Sequence, residues 1–106
     1  MSTSRSTSKK PAYSLSRLRE LLQNDFYFVT DIARETAKQD FGWRDEDIKQ
    51  AILSLKKKHF YKTEDHFEDP SIKVDFYKAR GLMGVNIYTH FHVEDGELII
   101  SSFKRI

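Results

Sequence analysis

A small α+β domain, helices first and a mainly antiparallel sheet second, is the fold class this sequence predicts. Three observations carry it. Leucines recur at helical spacing from Leu15, a second helix-period run begins at Ile48, and the half after residue 60 alternates at strand period, with its last two runs flanking Asp95 and Gly96.

Residues 1–12 are rich in Ser, Thr and Lys and hold no large apolar side chain after Met1, so they read as a disordered tail ahead of one domain over 13–106. Ser14 is placed to cap a helix over 15–24, whose Leu15, Leu18, Leu21 and Leu22 share a face. The run Phe26 to Val29 is aromatic and β-branched and predicts a short strand. Thr30 caps a weakly amphipathic helix over 31–39, which Gly42 breaks. The third helix is expected over 45–57, with Asp45, Glu46 and Asp47 at the positive end of its dipole and lysines at the negative end. Strands follow over 60–63, 72–78, 85–93 and 98–104, and the Asp95-Gly96 pair makes the last two an antiparallel hairpin.

A chain of 106 residues suits one domain, which at this size buries roughly 65% of its unfolded surface. Its composition, 39% hydrophobic, 13% aromatic and 32% charged, is that of a globular protein. A formal charge of only +2 gives no global field, so a basic footprint has to come from clustering. The absence of cysteine removes disulfides, thiolate zinc sites and a cysteine nucleophile, and fits a reducing cytoplasm. No apolar run reaches the roughly 17 residues that a membrane span needs, so a cytoplasmic protein without membrane attachment is expected.

The runs Phe60-Tyr61-Lys62, Asp75 to Lys78 and Leu98 to Lys104 put lysines and tyrosines into strands of one sheet. Such a sheet is equipped to hold a polyanion and move protons without a metal, which points to RNA. Strict alternation places Asn86, Tyr88, His90 and His92 on one face, with Ile87, Phe91 and Val93 toward the core. In the last strand it groups Ile99, Ser101 and Phe103 against Ile100, Ser102 and Lys104. In the strand near Ile72 it turns Ile72, Val74 and Phe76 inward and Lys73, Asp75 and Tyr77 outward. The expected polar surface is therefore Tyr88, His90, His92, Lys104 and Lys73, although a one-sided antiparallel sheet ordinarily turns such a face simply to water.

The densest basic and aromatic cluster runs from Lys56 through Lys58 to Lys62. Lysines there also suit a helix end, and Lys62 is the member that explanation covers least. His90 and His92 form an HxH pair, but no carboxylate is spaced to complete a metal site, so no metal or cofactor is expected. Gly-x-Ser-x-Gly is absent, and Gly81 and Gly84 form no phosphate-cradling loop.

In order and separation these runs resemble the MqsR toxins, the motility quorum-sensing regulator mRNA interferases of type II toxin–antitoxin systems. The match runs from about Tyr13 to Arg105, on Phe60-Tyr61-Lys62 for the family's FYK, Asp75-Phe76-Tyr77 for its D-x-Y, and Leu98 to Lys104 for its closing LIVSFK. The resemblance implies a RelE-like α+β fold and metal-independent, sequence-selective endoribonuclease cleavage of mRNA. It also implies an antitoxin partner, typically a zinc-binding protein with a helix-turn-helix domain. It assigns catalytic roles to Lys62 and Lys104, and to Tyr88 if one residue is inserted after Gly84. The family's glutamine before D-x-Y is Val74 here, with Lys73 beside it, so either Lys73 takes over a phosphate contact or the site is built differently. Arg80, His90 and Lys58 are the further RNA-binding candidates. The alternative readings are a non-catalytic RNA-binding or ribosome-associated module and an adaptor that pairs an exposed strand with a partner.

Overall fold

The computed structural model describes residues 7–106. Its helices are α1 (Leu15–Gln23), α2 (Asp31–Phe41) and α3 (Asp45–Leu53), and its strands are β1 (Thr7–Ser8), β2 (Tyr27–Val29), β3 (Phe60–Asp65), β4 (Lys73–Leu82), β5 (Val85–Glu94) and β6 (Glu97–Arg105). The six strands form one sheet in the order β1-β3-β4-β5-β6-β2, antiparallel throughout except for the parallel pair β2 and β6. The α+β class is the one the sequence predicts.

Local chemistry starts and stops the elements where the sequence signals it. The Ser14 and Thr30 hydroxyls accept hydrogen bonds from the Arg17 and Ala33 amides at 3.1 and 3.3 Å, capping α1 and α2. Gly42 ends α2 in the left-handed conformation, with φ +71°. Between β5 and β6 both Asp95 and Gly96 have positive φ, as the tight two-residue hairpin requires.

All three helices cover the same side of the sheet. There Leu18, Leu22, Ile48 and Ile52 meet Tyr77, Ile87, Phe91, Ile100 and Phe103 in a single core. Among the described residues the opposite side carries no helix, and it is the open face described below.

Four expectations are corrected. The third helix stops at Leu53 rather than 57: the chain turns at Ser54 to drop Leu55 into the core, and a 3-10 turn over Lys57–His59 follows, with the His59 Nδ1 accepting the Lys56 amide at 3.0 Å. The tail expected to residue 12 lies outside the described residues only for 1–6. Thr7 and Ser8 pair with Glu64 and Thr63, and the amides of Ala12 and Tyr13 donate to the Asp75 carboxylate at 2.9 and 3.0 Å.

That carboxylate also explains the third correction, the inverted faces of β4. Asp75 and Tyr77 point into the core and Val74 and Phe76 line the open face, because Asp75, also bonded by the Thr63 hydroxyl, is buried with its acceptors satisfied. Polar-outward alternation fails where a buried carboxylate finds donors of its own. Fourth, β6 changes phase midway: His90 pairs with Ser102 and Phe91 with Ile100, so Ser101 is one extra residue. Leu98, Ile100 and Phe103 therefore share the core, and Ile99 turns to the other side.

Candidate nucleic-acid interface

The open face is organised by strand register into rows that cross the sheet. Lys104 pairs with Tyr88, and Tyr88 with Lys78; in the next row Ser102 pairs with His90, His90 with Phe76, and Phe76 with Lys62. Two candidate catalytic residues thus stand in one row and the third in its neighbour. All three share the side of the sheet that no helix covers.

Lys62 reaches this face because of a bulge. Phe60 pairs with Tyr77 and Lys62 with Phe76, so Tyr61 is one extra residue in β3. Without it, Phe60 and Lys62 would share a face, since side chains alternate with period two. With it, Phe60 turns inward to meet the Tyr77 ring edge-on at 5.6 Å, and Lys62 turns outward over the Phe76 ring at 4.9 Å. The half-exposed Tyr61 ring carries the Lys78 ammonium at 4.0 Å and that of Lys62 at 5.3 Å. Lys104 lies over the Tyr88 ring at 5.3 Å. Aromatic rings thus hold these lysines against the face by cation–π attraction.

Electrostatics assigns protonation states to these groups. Burial raises the Tyr88 hydroxyl above its ordinary value, and the nearby Lys62 only partly opposes that rise, so Tyr88 keeps its proton at neutral pH. The Lys62 ammonium, bonded to the Glu64 carboxylate at 2.7 Å, is raised as well and stays charged. His90 is pushed down to about 4, first by burial and then by the charge of Lys104, so its imidazole is neutral. That makes His90 a poor acid at neutral pH.

Of the other sequence candidates, Arg80 shares the open face and Lys73 and Lys58 lie apart from it. Lys73 shares a side with Asp75 and Tyr77 by alternation, and its ammonium is tied to Asp65. Val74, in the place of the family's glutamine, lines the open face. Arg80 follows Lys78 on the open face by alternation and is exposed, whereas Lys58 sits in the 3-10 turn ahead of β3. Sequence reasoning named the runs that hold Tyr61 and Lys78 but left both, and Glu64, off the list of site residues. The lysine two positions before Arg80 in a period-two run was the available signal, hidden by the inverted phase of β4.

Among the described residues no three His, Asp or Glu side chains converge on a point that could hold a metal ion. The HxH pair is split in its contacts: His92 Nε2 meets the Glu94 carboxylate at 3.0 Å, while His90 packs on Phe76 at 4.8 Å between ring centroids. Nor, among the described residues, is any helix long and apolar enough to cross a membrane.

One helix-covered sheet with a bare face of lysines and aromatic rings defines a small single-core α+β protein with one cationic, ring-lined face. The family described as the motility quorum-sensing regulator, toxin of MqsA, matches residues 10–105, and the chain belongs to it. No curated protein matches the chain. Family membership makes this protein a toxin of a toxin–antitoxin system, with an antitoxin as its partner.

Proposed function

We propose that this toxin is an endoribonuclease that cuts single-stranded mRNA without a metal, using Lys62, Tyr88 and Lys104. The observation that carries the reading is the convergence of those three side chains in two adjacent rows of the helix-free face. Cleavage begins when a ribose 2′-hydroxyl, giving up its proton to solvent water, attacks the neighbouring phosphorus in line; the O2′–P bond forms as the P–O5′ bond breaks, leaving a 2′,3′-cyclic phosphate, and negative charge grows on the phosphoryl oxygens. Two fixed ammonium groups lower the energy of that charge, and they do so more effectively on a partly dry protein surface than in water. Tyr88, kept protonated by burial, gives its proton to the departing 5′-oxygen. His90 is neutral and packs against Phe76, which suits it to contact RNA rather than to shuttle a proton. Arg80 and Lys78 extend the cationic surface along β4.

In this reading the substrate is cytoplasmic mRNA and the antitoxin is a zinc-binding, helix-turn-helix protein. The test is cleavage of a purified transcript in excess EDTA. Cutting by the wild-type protein, with loss in the Lys62→Ala, Tyr88→Phe and Lys104→Ala variants, is expected. If chelation abolishes cutting and added zinc or manganese restores it, the lysine and tyrosine mechanism is wrong. If RNA binds in a salt-sensitive way and is never cut, the protein is a binding module.

A further inference from the structure

The lysine and tyrosine rows leave one part of the open face unused. Past Phe76 and His90, a cavity of about 340 Å³ is lined by Glu64, Val74 and His92 and roofed by Phe67. Ligand pockets run from about 300 to 1,000 Å³, so this one has room for a single planar ring. The lining offers a ligand no unpaired cation, since its carboxylates Glu64 and Asp65 already hold Lys62 and Lys73 and the His90 imidazole is neutral. A phosphate would be repelled there, and an uncharged ring would not.

The roof is pre-built. Residues 66–72 between β3 and β4 brace themselves: the His66 amide donates to the Ile72 carbonyl at 2.8 Å, the Glu68 amide to His66 Nδ1 at 3.1 Å, and the Ile72 amide to the Asp69 carbonyl at 2.9 Å. This holds the Phe67 ring stacked on His66, with centroids 5.1 Å apart and planes within 15°. His66 in turn meets His92 edge-on at 5.1 Å, so a column of rings rises from the cavity to Phe67, which is 78% exposed. A lone exposed phenylalanine needs no explanation. One held flat by a braced loop at the mouth of an apolar cavity, beside a row of lysines, does. Phe76 and His90 belong to both the cavity and the lysine-bearing rows, so a chain whose phosphate lies on Lys62 has its neighbouring base at the cavity mouth.

We propose that this cavity is a nucleobase subsite, in which one unstacked base of the RNA enters beside Val74 and Phe76 and is covered by the Phe67–His66 stack. Single-stranded RNA is read in this manner, by splaying bases onto aromatic side chains. The inference rests on the RNA reading above, and names Phe67 as a specificity-determining residue.

The test uses the full chain and uncleavable, mixed-sequence, single-stranded oligonucleotides methylated at every 2′-oxygen, some carrying the fluorescent base 2-aminopurine. Phe67→Ala should weaken binding about tenfold, the scale of one lost base stack, with no change in the salt dependence. Phe67→Tyr should bind as wild type does. Lys62→Ala should instead flatten the salt dependence by about 0.7 in the logarithmic slope, one phosphate contact's share. 2-Aminopurine should be quenched by the wild type and not by Phe67→Ala. Equal binding and quenching by wild type and Phe67→Ala overturns the subsite, as does a wild type that binds none of these probes. If Phe67→Ala keeps full RNA binding and loses only its hold on the antitoxin, the cavity belongs to a protein side chain and the proposal fails. Tight, Phe67-dependent binding by a protein that cuts no natural RNA sinks the nuclease reading and leaves the subsite standing.

Discussion

The Lys62 ammonium lies 2.7 Å from the Glu64 carboxylate, two residues along the same strand and on the same face. An RNA phosphate that reaches Lys62 must therefore compete with an anion already there. Glu64 both fixes the lysine's direction and lowers its appetite for a polyanion.

Glu64→Gln should accordingly strengthen binding of single-stranded RNA and steepen its salt dependence, because it removes a negative charge and releases Lys62 toward phosphate. Because Lys62 already makes a phosphate contact in the wild type, the slope of log Kd against log salt should steepen by less than the roughly 0.7 that one whole contact contributes. Weaker binding with an unchanged slope would mean that positioning by Glu64 matters more than the charge it carries.

The site variants should separate by face. Lys62→Ala, Tyr88→Phe and Lys104→Ala each remove a charge or a proton donor and should lower cleavage by about a hundredfold or more. Lys73→Ala, on the helix side and tied to Asp65, should cleave within about twofold of wild type. Cleavage rates on one transcript, with folding checked by circular dichroism, decide it. A Lys73→Ala defect as large as that of Lys62→Ala would place RNA on a different surface.

Stability should fall on acidification through His90. Its folded value near 4 lies below the unfolded value of about 6.5, so between those limits the unfolded chain binds the extra proton. Stability then rises with pH across that window and is flat above it. Wild type should lose about 1–2 kcal/mol more than His90→Phe between pH 7 and pH 5. Urea denaturation of the pair at both pH values measures this. His59, also lowered by burial, and Asp75, raised by burial, act alike in both proteins and cancel in the comparison. Parallel pH profiles would mean that His90 titrates normally.

Asp75→Ala should cost about 2–4 kcal/mol, since it strands the Ala12 and Tyr13 amides, whereas the Thr63 hydroxyl keeps the Lys10 carbonyl as an acceptor. Asn at this position keeps an acceptor and should cost less. A denaturation midpoint unmoved by Asp75→Ala would show that the entry of the chain into α1 is held by other contacts.

Much of this fold was legible because it is written in period and punctuation. The leucines of α1, the caps Ser14 and Thr30 and the Asp95-Gly96 turn act locally, and each lies where the sequence puts it. The site was legible at Lys62, Tyr88 and Lys104. Its neighbours were not, because strict alternation presumes unbroken strands and outward carboxylates. Asp75 breaks the second presumption by finding donors 62 and 63 residues away in sequence, which no local pattern reveals. Tyr61 and Ser101 break the first, and a single extra residue leaves no signature in composition. Lys73 changed faces with Asp75, two residues further along β4 and on the same side of the strand.

The extra residue at Tyr61 makes the reading frame of β3 part of the toxin's chemistry. An in-frame loss of that one codon deletes no proposed catalytic residue, yet it must either expel Phe60 from its place against Tyr77 or turn the Lys62 ammonium toward the core, where an unpaired charge is costly. Cells selected to survive expression of this gene should therefore yield single-codon deletions at this position alongside substitutions of the site itself. Sequencing such survivors tests it, and a deletion that leaves growth arrest intact would show that the strand tolerates the change of phase. Heritable silencing here needs neither a stop codon nor a lost lysine.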